Sequence, residues 1–89
     1  GGRPAGNAAG GVQYCIKNKY LGGGASGIKD SLLRKAGLGG KEEKDPGYQS
    51  GLSGMLSGGD GKSFDMSKVQ SSLKEKACDY VLDNAKSLL

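Results

Sequence analysis

Apolar residues recur along this chain with a helical period, broken by glycine-rich joints. Val12, Cys15, Ile16 and Tyr20 fall at i, i+3, i+4 and i+8. They predict a first helix from Ala8 to Leu21, opened by Asn7 as N-cap and stopped by Gly22 to Gly24. Ile28, Leu32 and Ala36, with Leu33 beside them, predict a second helix capped by Ser26. Gly37 stands at its C′ position, and Leu38 is placed to fold back onto Leu33 in a Schellman ending. GGKEEKDPG, residues 39–47, reads as a polar linker whose Asp45 and Pro46 make an N-cap and first helical position. Tyr48, Leu52, Met55 and Leu56 then continue a third helix, weakened by Gly47, Gly51 and Gly54 at about 1 kcal/mol each relative to Ala.

GGDGKSF, residues 58–64, reads as a tight turn. The last helix starts just after it, with Asp65 as N-cap and a Phe64–Val69 staple, or with Ser67 and Gln70 as a capping box. Val69, Leu73, Ala77, Tyr80, Val81, Leu82, Ala85, Leu88 and Leu89 cover much of its circumference, which marks it as the central helix. No alternation of period two runs long enough for a sheet. The expected fold is all-α: a small bundle of four helices with Gly-rich joints, residues 7–89 forming one domain behind a flexible Gly-rich segment 1–6.

Composition limits what this bundle can bury. The chain has 89 residues, 35% hydrophobic, with eighteen Gly, one Phe and no Trp. A core this thin gains from a covalent cross-link. The formal charge of +4 is carried by dispersed lysines with only Arg3 and Arg34, a solvated surface rather than a nucleic-acid-reading one. No apolar run approaches the roughly eighteen residues a membrane span needs. The opening GGRPAGNAAGG has no apolar core of a signal peptide and fits a mature N-terminus or a trimmed edge.

Candidate chemistry is sparse. There is no His, so neither Cys15 nor Cys78 has the usual base of a catalytic thiol, and two cysteines fall short of a zinc site. What remains is two buried free thiols or one disulfide, and the apolar helix faces around both favour the bridge in an oxidising compartment. Asp60 and Asp65 in DGKSFD lack the alternation and distal Glu of an EF-hand. Glu42, Glu43 and Asp45 lie in the linker, while Asp79 and Asp83 sit one turn apart beside Lys76 and Lys86 as surface ion pairs. Ser50, Ser53, Ser57, Ser71 and Ser72 have no His for a triad, and GLGG and GGDGK match no phosphate loop. Catalytic, metal and cofactor residues are therefore expected to be none. Of the tyrosines, Tyr20, Tyr48 and Tyr80 read as core, and Tyr14, off the Val12–Ile16 stripe, as the candidate for surface recognition.

VQYCIKNKYLGG and KEKACDYVLDNAKSLL, with DSLLRKAGL, DPGYQSGLSGML and DGKSFDM between them, resemble the YjjA-like family of small secreted bacterial proteins of unknown function. The resemblance spans residues 7 to 89 and is most specific around the two cysteines. It implies export to the periplasm or beyond, through a signal peptide that this stretch of sequence does not include. It also implies that Cys15 and Cys78 are paired, and it supplies no activity or ligand. The expected function is a non-catalytic binding module of the envelope or exterior, partnered by a protein or other envelope component. The alternative is a self-assembling structural subunit, a homo-oligomer or filament.

Overall fold

The computed structural model describes residues 4–57 and 63–89. Four helices dominate: α1 (Pro4–Lys17), α2 (Gly24–Lys35), α3 (Pro46–Leu52) and α4 (Ser71–Ser87). Between α3 and α4 lie two short strands, β1 (Met55–Ser57) and β2 (Ser63–Asp65), and single 3₁₀ turns occupy Glu42–Lys44 and Met66–Lys68. The strands pair antiparallel, Met55 opposite Asp65, Leu56 opposite Phe64 and Ser57 opposite Ser63. The fold is all-α apart from this ribbon, and a Cys15–Cys78 disulfide links the first and last helices.

The centre belongs to α1, not to the last helix. Residues 6 to 12 of α1 are all buried, as is Cys15, and α2, α3 and α4 each pack against it. Side-chain size explains the reversal. A helix carrying Gly6, Ala8, Ala9, Gly10 and Gly11 is thin enough to be surrounded, and its neighbours bring the bulk. At Gly10 an added Cβ would come 2.9 Å from the Leu52 amide nitrogen and 3.0 Å from Gly51 Cα. At Gly51 it would come 2.6 Å from the Gly11 nitrogen. The two helix backbones touch, with no room for a side chain between them. By contrast α4 buries a single face, Cys78, Val81 and Ala85, which recur at i, i+3 and i+7.

Several element ends differ from expectation. α1 begins at Pro4, so Asn7 lies inside the helix rather than capping it. Its stop is not the triple glycine. Tyr20 N–H bonds to the Cys15 carbonyl at 2.8 Å and Lys19 N–H to Ile16 at 2.9 Å, with Lys19 left-handed at φ 65°. That is a Schellman ending with lysine where glycine is the usual residue. α2 takes Gly23, not Ser26, as its N-cap residue. Its end is as expected: Gly37 has φ 74°, and Leu38 N–H bonds to the Leu33 carbonyl at 2.8 Å.

The Asp45–Pro46 start of α3 also holds, the Asp45 carboxylate accepting from Tyr48 N–H at 2.8 Å. However, α3 stops at Leu52, because Gly54 at φ 99° turns the chain out of the helix. Met55 and Leu56 therefore enter β1 instead of extending the helical stripe. Asp65 caps the Met66–Lys68 turn, and α4 begins at Ser71 behind Gln70, which makes no side-chain cap bond. Neither a Ser67–Gln70 capping box nor an Asp65 cap opens α4. The turn expected over 58–64 falls outside the described residues up to 62, and Ser63 to Asp65 form β2.

Candidate functional site

Both bridged cysteines are fully buried, with Cα atoms 5.8 Å apart and 63 residues between them in sequence. The helical phase explains the meeting. Cys15 stands on the same side of α1 as Val12, and Cys78 on the Val81–Ala85 face of α4. In the chain-entropy description, closing a loop of this length contributes about 4 kcal/mol. Neither sulfur reaches the surface, so the bridge is a staple and not a reagent.

A second tie was not legible as such. Asn7 is buried inside α1, and its Nδ2 donates to the Gly47 carbonyl at 3.0 Å and to the Met55 carbonyl at 3.1 Å. Its Oδ1 accepts from Ser57 N–H at 2.9 Å. One side-chain amide thus ties backbone groups of α3 and β1 to α1. The signal was an Asn among glycines and alanines, which a capping reading absorbed.

Titratable groups offer little chemistry. Burial raises the Tyr48 hydroxyl above its ordinary value of 10.0, helped by the carboxylates of Glu42, Glu43 and Asp30. The Asp65 carboxyl is lowered, chiefly because the Ser67 hydroxyl donates to it at 2.6 Å. Among the described residues no three His, Cys, Asp or Glu side chains group to hold a metal ion. Lys29 and Asp30 form an ion pair at 3.5 Å. The expected pairs of Asp79 and Asp83 with Lys76 and Lys86 do not close within the described residues. A surface groove of about 390 Å³ lies between α2 and α4, lined by Gly22, Gly24, Ala25, Ile28, Leu82 and Lys86.

The exposed apolar side chains are the more informative surface. Tyr80 is 70% exposed and Leu73 50%, both on α4. Tyr14, expected at the surface, is half-buried against the core, its ring next to Gly54. Tyr48 is buried and Tyr20 half-buried, as expected, so the tyrosine free for recognition is Tyr80 rather than Tyr14. Taking Cys78 as the inward residue of α4 already places Leu73 and Tyr80 off the core, since at 100° per residue they fall well round from Val81 and Ala85. Phe64 is also exposed on β2, directly across the ribbon from Leu56, which reaches in towards Gly11.

A family model described as "Protein of unknown function (DUF2501)" matches residues 17–88. A curated relative described as "Uncharacterized protein YjjA", from Escherichia coli (strain K12), is 39% identical over 83 residues. The match covers 85% of this chain and 51% of the relative, so the chain spans about half the length of that protein. No solved structure matches.

Proposed function

The chain belongs to the DUF2501 family, and from that premise we propose that it is an exported interaction module rather than an enzyme. The observation that carries the reading is the exposure of Leu73 and Tyr80 on a helix whose opposite face is stapled to the core. Large apolar side chains held on a rigid support lose little conformational entropy on binding, which suits recognition. Export is supported by the disulfide, since structural bridges persist in oxidising compartments. No helix among the described residues is long and apolar enough to cross a membrane. The partner would be a protein or another component of the cell envelope.

A photo-crosslinking amino acid at position 80 tests this in living cells. Tyr80 is mostly solvent-exposed, so the replacement leaves the core intact. The expected result is a discrete adduct in the periplasmic or extracellular fraction, formed by chains without free thiols. Recovery in the cytosol with two titratable thiols, or a folded exported chain that forms no adduct from position 80, refutes it.

A further inference from the structure

We propose that the exposed face of α4 docks a second copy of this chain, the two α4 helices packing antiparallel through Leu73, Ala77 and Tyr80. This rests on the interaction-module reading and names its partner.

The three side chains follow one another at i, i+4 and i+7, within an arc of about 60°. Leu73 and Tyr80 are exposed and Ala77 is half-buried, so the arc presents large, small, large. Next to it on the solvent side runs a charged row, Lys76, Asp79 and Asp83, none of which closes an ion pair within the described residues. The order of signs along that row selects both the partner and its direction.

In an antiparallel pair of helices, each flank faces the same flank of the partner. With the twofold axis between Ala77 and Tyr80, each Tyr80 ring sits over the partner's Ala77, a large residue over a small one. The same axis brings each Lys76 beside the partner's Asp83, on the flank the two helices share. A parallel pair would instead level Tyr80 with Tyr80 and turn each charged row to the partner's opposite flank, that of Lys74 and Val81, where no carboxylate answers Lys76. The two aspartates also argue against an anionic lipid surface, which would attract Lys76 alone of the three. A second copy is thus the occupant whose charges the row complements.

A two-helix contact is smaller than the 1,200–2,000 Å² of a typical stable interface, so the dimer should be weak, with Kd of about 10⁻⁵–10⁻⁴ M. Sedimentation equilibrium up to about 1 mM reads it directly. Tyr80→Asp should weaken association at least tenfold while leaving the far-UV circular dichroism and melting temperature unchanged. Lys76→Glu should also weaken it, and the combined Lys76→Glu, Asp79→Lys, Asp83→Lys chain should regain it, because the row is then reversed but still complementary. In the position-80 crosslink, the adduct should have twice the chain mass and map to the partner's Ala77.

A monomer at the highest concentration overturns the dimer, as does a dimer indifferent to both Tyr80→Asp and Lys76→Glu. An adduct to a different protein also overturns it yet keeps the broader reading, and a folded exported chain that gives no adduct from position 80 loses both.

Discussion

Gly51→Ala and Gly27→Ala are the same substitution, and the structure gives them opposite signs. Both replace a helical glycine, so both gain roughly 0.5–1 kcal/mol of backbone entropy and propensity. Gly27, in α2, is exposed and has nothing within 4 Å of an added Cβ. It should keep the whole gain. Gly51 would place its methyl 2.6 Å from the Gly11 nitrogen and 2.9 Å from the Gly10 carbonyl carbon. Those are backbone atoms of α1, so no rotamer change relieves the clash, and α3 must retreat. A retreat of roughly 0.5–1 Å forfeits a quarter to a half of the dispersion energy along the contact. Overpacking in a tight core costs about 1–3 kcal/mol, and relief by moving a helix belongs at the upper end.

The net expectation for Gly51→Ala is a loss of about 2 kcal/mol, which in a domain of this size lowers Tm by roughly 10 °C. Urea unfolding followed by circular dichroism, with both variants compared at a common m-value, measures it. If Gly51→Ala is as stable as the parent chain, or more so, the backbone contact between α1 and α3 is refuted, and with it the central position of α1.

Three further outcomes follow from the same packing. Cys15→Ser or Cys78→Ser should lower stability by about 4 kcal/mol, a loss that calorimetry under non-reducing conditions would register and that reductant should reproduce in the parent chain. Asn7→Asp should cost about 3 kcal/mol or more, since it removes the donor to Gly47 and Met55 and turns a charge on two carbonyl oxygens; a melt within a few degrees of the parent would contradict the clamp. Tyr48 has its hydroxyl raised by burial and neighbouring carboxylates, so the folded state holds the proton longer than the unfolded one. Its contribution is fully present below pH of about 10 and is lost as pH rises through the raised folded value. Tyr48→Phe should flatten that alkaline decline in the urea midpoint.

What was legible in the sequence was signalled by residues with a single strong local role. Gly37 before Leu38, and Asp45 before Pro46, each satisfy specific backbone groups, and both act where expected. The cysteines were legible through what the chain lacks, because without His a bridge was the favoured use for them. The centre of the fold was misplaced because apolar side chains were counted on α4, whereas burial of α1 comes from having almost none. Smallness reads as weakness in a helical pattern, yet it is what lets three neighbours approach. Met55 and Leu56 kept helical phase with Tyr48 and Leu52, and only the left-handed Gly54 reveals the break. The surface was misread for the same reason as the core: Leu73 and Tyr80 were credited to a broad apolar face covering much of α4, when Cys78, Val81 and Ala85 define its one inward face.

The disulfide changes what a cut in this chain would mean. Every peptide bond between Cys15 and Cys78 lies inside a covalent ring, including the exposed linker around Lys41, Glu43 and Lys44. A protease that opens one bond there produces two fragments that remain a single molecule, with α1 still seated among its neighbours. Such a nick would show only after reduction, as two bands in place of one. Wherever a protease meets this domain, survival then depends on the number of cuts rather than on the first.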